Sequence, residues 1–501
     1  MLADAFVKLR ESNAVRLIRA FIRSPWYLAF NVILMVCAEL FTLELPVFYV
    51  YLAEILVLFL FDEDMLGVIV LIPCHYFSIS AANNAGKYKE TLFSNPVQMT
   101  QLVILISIYA VLFTARLISL LLLGGKRKTP SQTFGFLFLA VALVAGGAAS
   151  GYWGKRTLLF GFTEAASLSA VYFYFYFTVN WKKVPEHYGM MVFLALGAGL
   201  VLEIVGMYFM KGAVNGDSVN RNAFFTGWGI YNNVGCAMAI CMPAPFYFAI
   251  KRKEGWIFSL LGIVYYLAVM LSQSRNAMLF GTALFAVCVV AVLVKTKGWE
   301  RWKNLIVYGA FALVGLIAVI AFRDRIASIF HAVGEAGFND SARFDTYRAC
   351  WKRFLEAPWF GSGFYRTPGT VLQPDTGMWT TMDGALDSTG FLPPRAHNTL
   401  FQILASGGVF LLIAYLCHRV QTGILLFRRP TTEKFFVALC VSALLLTSLL
   451  DCHFFNLGPG LLYSALFVFA EGDDLRRGGS QSERLFRARK KMSGTDSADE
   501  K

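Results

Sequence analysis

The chain has 501 residues, 57% of them hydrophobic and 15% charged, with a mean hydropathy of +0.57. Soluble domains carry about 25% charged residues, so this balance excludes a soluble enzyme and a disordered chain and indicates an integral membrane protein. The net charge of +13 sits in short basic clusters between apolar runs, which membrane topology explains better than nucleic-acid binding does.

Residues 1–26 place Lys8, Arg10, Arg16, Arg19 and Arg23 among apolar side chains and lead straight into further apolar runs. This is the pattern expected of an uncleaved, cytoplasmic amphipathic segment and not of a signal peptide. A hydrocarbon core needs about 20 apolar residues per helix. That criterion predicts an all-α polytopic fold of about 12–14 transmembrane helices. Eleven lie within 27–322, at 27–43, 45–61, 65–80, 99–123, 133–150, 157–179, 189–210, 228–250, 256–272, 276–295 and 304–322, and three within 398–470, at 398–417, 434–450 and 456–470. The basic clusters at 126–128, 182–183, 251–253, 295–303, 419–434 and 476–491 are separated by even numbers of these spans. They can therefore share one side, the cytoplasmic one by the positive-inside rule. The polar segments 81–98, 211–227, the turn at Ser274-Arg275 and the long stretch 323–397 then face outside, and 471–501 reads as a disordered cytoplasmic tail. Nine cysteines show no CxxC pair or zinc spacing, and most lie inside apolar runs as small core residues.

The 323–397 stretch is far longer than a connector requires. It holds Phe344, Tyr347, Trp351, Trp359, Phe364 and Trp379 among other aromatics, so it is expected to fold as a small external cap that ends at His397. Five arginines fall on the external side: Arg221, Arg275, Arg343, Arg348 and Arg395. Arg275, between two apolar segments with almost no connector, reads either as a boundary arginine held by carbonyls or as part of a phosphate site. Guanidinium forks match phosphate oxygens bidentately. His397 reads either as a helix-end residue or as a proton acceptor, a role that a neutral imidazole suits. His453, in Asp451-Cys452-His453, is a rival without a basic neighbour. Walker, HExxH, GxSxG and GxGxxG motifs are missing, and no external DxD pair suggests a metal site; Asp383 and Asp387 read as a solvated pair.

Arg343-Phe344-Asp345, then Pro358-Trp359-Phe360-Gly361-Ser362-Gly363, then His397-Asn398-Thr399-Leu400 with Gly407-Gly408 resembles the core of the O-antigen ligase and O-antigen polymerase family. Ser272-Gln273-Ser274-Arg275-Asn276 is similar to that family's serine-arginine turn, and the likeness covers residues 215 to 415. The resemblance implies a GT-C-like membrane glycosyltransferase that needs no metal or other cofactor. Such an enzyme takes a glycan from an undecaprenyl-diphosphate carrier on the outer face of the bacterial inner membrane and passes it, with inversion, to an acceptor hydroxyl on a glycan or lipid. By position it implies a catalytic His397, with Arg275 and Arg343, assisted by Arg221 and Arg395, binding the diphosphate. Where the family often has an acidic residue before the glycines, this chain has Ser406, so the histidine's carboxylate partner is not identified. A flippase or transporter of the same lipids is the alternative. Its charges are expected near the bilayer midplane, whereas here they gather at the outer surface.

Overall fold

With no water inside a bilayer, backbone N–H and C=O groups must pair within their own segment, so a chain this apolar spans as helices. The computed structural model describes residues 12–61, 65–78, 110–119, 129–210, 229–321, 343–372, 379–382 and 395–492, with Ser107, Arg323 and the strand pieces 214–215, 218–219 and 225–226. The expected all-α polytopic architecture is present. In chain order the helices are α1 (Asn13–Ile22), α2 (Pro25–Phe41), α3 (Glu44–Phe61), α4 (Val68–Ser78), α5 (Ala110–Ser119), α6 (Thr133–Val144), α7 (Lys155–Thr178), α8 (Tyr188–Met210), α9 (Tyr231–Cys241), α10 (Pro243–Lys251), α11 (Gly255–Leu271), α12 (Arg275–Lys295), α13 (Gly298–Ala321), α14 (Arg343–Glu356), α15 (Thr399–Phe427), α16 (Thr432–Thr447) and α17 (Leu457–Met492). Three short antiparallel hairpins accompany them: β1 (Val214–Asn215) with β2 (Ser218–Val219), β3 (Phe225–Thr226) with β4 (Gly229–Ile230), and β5 (Gly369–Leu372) with β6 (Trp379–Met382).

Six helices among the described residues are long and apolar enough to cross a membrane, seven if α1 and α2, bent by 68°, form one span. This is fewer than the expected 12–14. Five further apolar helices, α4, α5, α6, α11 and the Pro46–Phe61 part of α3, are only 10–17 residues long. The causes are local where they are visible: α4 contains Pro73, and α6 stops before a turn at Gly146-Gly147. The segment 81–98 and most of 99–123 and 211–227 lie outside the described residues.

One apolar core unites the helices. α7 packs on α6 and α17, α15 on α6 and α14, and α9 lies among α8, α11, α12 and α16. α15 is two helices end to end, broken at Gly408 with φ 61° and ψ −155°. The 358–363 turn of the cap occupies the break. Val409 N–H donates to Pro358 O at 2.8 Å and Phe410 N–H to Trp359 O at 3.1 Å, while Ser362 N–H donates to Ala405 O at 2.8 Å and Gly363 N–H to Ser406 O at 2.7 Å. The turn thereby satisfies groups that a broken helix leaves without partners. A Cβ on Gly408 would lie 2.3 Å from Pro358 O, and one on Gly361, where φ is 62°, 2.4 Å from Ser406 C. Only glycine tolerates both the approach and the left-handed backbone.

The described parts of the expected cap are α14, the 357–372 segment, β6 and 395–397. α14 lies on the start of α15, with the Tyr347 ring stacked on Phe401 at 4.8 Å and 5°, and Thr346 Oγ1 meets Thr381 Oγ1 of β6 at 3.0 Å.

Two segments differ from the sequence expectation. The start of the tail expected from Glu471 onward is not solvated: α17 continues to Met492, and the charges at 471–477 meet partners. Glu471 accepts from Ser131 N–H at 2.5 Å and from the Tyr172 hydroxyl, Asp474 pairs with buried Lys434 at 2.7 Å, and Asp473 pairs with Arg477 at 2.8 Å. Of the basic cluster at 419–434, Arg428 and Arg429 lie in the exposed connector between α15 and α16, and the other two basic residues do not. Arg419 lies within α15, its guanidinium 4.9–5.0 Å from the rings of Tyr415, Phe454 and Tyr463, and Lys434 lies within α16, donating to Leu425 O at 2.8 Å.

Candidate functional site

His397 is set by the start of α15. Asn398 caps that helix, its Oδ1 accepting from Leu400 N–H at 2.8 Å and Phe401 N–H at 3.1 Å. Asn398 Nδ2 donates to Leu449 O at 2.8 Å, and Thr399 N–H to Ser448 O at 3.1 Å. These bonds lash the turn to the segment between α16 and α17. His397 itself has φ 53°, a left-handed conformation that costs a residue with a Cβ about 1–2 kcal/mol. The Tyr347 hydroxyl donates to its carbonyl at 3.1 Å. Burial pushes the Tyr347 phenol up to about 12, against the pull of Arg343, so this donor keeps its proton.

The imidazole Nδ1 lies 3.2 Å from Asp451 Oδ1. A carboxylate only accepts, so Nδ1 carries the proton of the neutral ring and Nε2 holds a lone pair. Nε2 has no hydrogen-bond partner among the described residues. The His397 side chain is 17% exposed and that of Asp451 7%, so a solute can reach the imidazole but not its partner. Asp451 also accepts from Cys452 N–H at 2.8 Å and Asn232 Nδ2 at 3.0 Å. Burial pushes the Asp451 carboxyl up, but the neighbouring His453 and His397 and the hydrogen bonds from His397 and Cys452 outweigh it and hold it well below the usual carboxylate range.

His453 is fully buried. Its Nδ1 meets Asn233 Oδ1 at 3.1 Å and its Nε2 meets Asn276 Nδ2 at 3.4 Å. Burial lowers its pKa, with Asp451 opposing. It is therefore the inner, amide-bound histidine, and His397 is the accessible one.

The serine-arginine turn joins this cluster. Ser272 closes α11, Gln273 reverses the chain with φ 60°, and Ser274 caps α12, its Oγ accepting from Ala277 N–H at 3.4 Å. Ser274 Oγ is 3.1 Å from Asn232 Oδ1 and 2.5 Å from Asn276 Oδ1. Arg275, exposed, is the first residue of α12, and Arg343, half-buried, the first of α14. Each adds a guanidinium to the positive end of a helix. The Arg343 charge acts on both His453 and Tyr347.

Arg395 is committed elsewhere. It pairs with Glu164 of α7, donates to Phe455 O at 3.4 Å and lies 5.8 Å over the Phe364 ring. Its Nη1 is buried without a hydrogen-bond partner among the described residues. Arg348 is exposed and pairs with Asp345 at 3.4 Å, and Arg221 lies outside the described residues. Sequence reasoning gave no role to Asp451, Asn232 or Glu164. A pair of asparagines opening an apolar span at 232–233 was the available signal for one of them.

Many apolar helices, with a polar cluster at their ends under a small cap, define a multi-pass membrane protein with a capped site. Residues 255–416, about a third of the chain, match the family model described as O-antigen ligase. This stretch of the chain is thus similar to the O-antigen ligase family, as the motif resemblance implied. No curated protein matches the chain. The matched stretch contains Arg275, Arg343, Arg395 and His397, whereas Asn232, Asp451 and His453 lie beyond it.

Proposed function

We propose that this protein is a glycosyltransferase that moves a glycan from an undecaprenyl-diphosphate donor to an acceptor hydroxyl on the outer face of the bacterial inner membrane, as an O-antigen or polysaccharide ligase or polymerase. The observation that carries the reading is the His397–Asp451 pair, whose Nε2 has no partner among the described residues, beside the turn that begins α12 at Arg275. In the reaction, the acceptor hydroxyl gives its proton to His397 Nε2 as its oxygen bonds to the sugar's anomeric carbon. The bond from that carbon to the diphosphate breaks on the opposite face, with inversion, and the electron pair leaves on the diphosphate. Asp451 orients the ring and stabilises the imidazolium that forms. Arg275 and Arg343, each at a helix N-terminus, meet the charge that grows on the leaving group, a task that positioned cations perform without a metal ion. Arg395 serves better as a structural tie to Glu164 than as a ligand, and Arg221 remains an assisting candidate.

The test is transfer by purified full-length protein from an undecaprenyl-diphosphate-linked glycan, with and without a chelator. His397→Ala is expected to lose about 10²–10⁴-fold in kcat and to keep donor binding. Arg275→Lys and Arg343→Lys should keep part of the binding and lose most of the rate, since lysine lacks the planar fork. Undiminished transfer by His397→Ala, or a requirement for Mg²⁺ or Mn²⁺, would sink the mechanism. One observation favours the transporter reading, namely that Arg419 lies inside an apolar span. Its three rings and the Tyr463 hydroxyl give it a structural role, and transfer in detergent, where there is no membrane to cross, separates the two.

A further inference from the structure

His397 and the serine-arginine turn belong to segments remote in the chain, and one side chain bridges them. Asn232, 6% exposed and close to the start of α9, donates from Nδ2 to Asp451 Oδ2 at 3.0 Å, while its Oδ1 lies 3.1 Å from Ser274 Oγ. The amide has only one workable orientation. A carboxylate cannot donate, so Nδ2 must face Asp451 and the oxygen must face the serine. The two oxygens of Asp451 are used differently. Oδ1 accepts from His397 and from Cys452 N–H, whereas Asn232 supplies the one hydrogen bond to Oδ2 among the described residues. His453 Nε2 stands off at 3.9 Å. Beyond Asn232, the contacts continue to Ser274, which caps the helix that begins with Arg275.

We infer that Asn232 is a positioning residue for the transfer reaction: it holds the Asp451 carboxylate in the rotamer that orients His397 and joins that pair to the turn presenting Arg275. The inference rests on the reading of His397 as the proton acceptor. Without the amide, the Oδ2 side of a buried carboxylate has no hydrogen bond. Leaving such a group unsatisfied is costly, so the carboxylate turns to find another donor and releases the imidazole. Asn232→Leu keeps the volume and removes both polar ends.

Two measurements on the purified full-length protein test this. In transfer kinetics, Asn232→Leu is expected to lower kcat by about 10–100-fold, the usual effect of removing a group that orients a site residue, with donor KM little changed. In an Asp451→Asn background the same change should cost nothing further, because residues that act as a unit are not additive. An unchanged kcat, or an equal loss in both backgrounds, overturns the inference. The second measurement needs no activity: the pH midpoint for carbethoxylation of His397 by diethyl pyrocarbonate, read by peptide mass spectrometry. Asn232→Leu should move it down, because the imidazolium loses the carboxylate that faces it. An unmoved midpoint refutes the coupling whatever the activity. A moved midpoint in a protein that transfers no glycan retires the transferase reading and leaves the coupling standing.

Discussion

At the scale of single residues, the site sorts two histidines by what surrounds them. His397 has one committed nitrogen and one with no partner among the described residues, whereas His453 has both nitrogens against asparagines. Burial makes His453 harder to protonate in the folded chain than in the unfolded one, where its pKa is about 6.5. A depressed pKa contributes stability that is complete above the unfolded value and is lost as pH falls below it toward and through the folded one. The depressed carboxyl of Asp451 contributes fully above about pH 3.9 and is lost only in stronger acid. Between pH 7 and 5, His453 is therefore the member of the pair that changes stability. The thermal midpoint should fall over that interval, and the fall should be smaller in His453→Gln; an equal fall in both proteins would show that the attraction of Asp451 cancels the burial of the ring.

Among the elements, the joint between the cap and α15 governs the site most directly. Because the broken helix at Gly408 is completed by backbone from 358–363, the cap is held by hydrogen bonds that do not depend on side-chain identity, provided the glycines are kept. Gly408→Ala combines a left-handed φ, costing about 1–2 kcal/mol, with a Cβ placed 2.3 Å from a carbonyl oxygen. It should lower stability by more than that strain alone and abolish transfer without touching His397. A variant with wild-type thermal stability and rate would show that the joint can relax. The sequence displayed the parts of this joint, Pro358 to Gly363 and Gly407-Gly408, as motifs in the right order. Their purpose was not legible, since adjacency in space of a turn and a helix break leaves no periodic signal.

Across the whole molecule, the features legible in sequence were the local ones. Apolar runs announced the helices, and the long polar interruption set apart the segment that holds α14 and ends at His397, while Arg275 stood in a separate turn. The pairing of His397 with Asp451, 54 residues on, and of Asn232 with Asp451, 219 residues apart, depends on how α9 and α16 pack. The buried Glu471 and Asp473 were misread as solvated because composition does not reveal Tyr172 or Arg477 opposite them. The sidedness proposed from the basic clusters is open to direct test: a cysteine at Thr381 should react with an impermeant thiol reagent added outside intact cells, and one at Lys253 only after the inner face is opened. The reverse pattern would invert the topology and remove the site from the outer surface. The two anchors of the cap, at 358–363 and 395–398, also have an engineering meaning. Both are made largely of backbone hydrogen bonds and a helix cap, so the anchors themselves do not depend on which side chains the intervening chain carries. Grafting the corresponding stretch of another family member between these anchors should exchange the acceptor and leave His397, Asp451 and Arg275 in place.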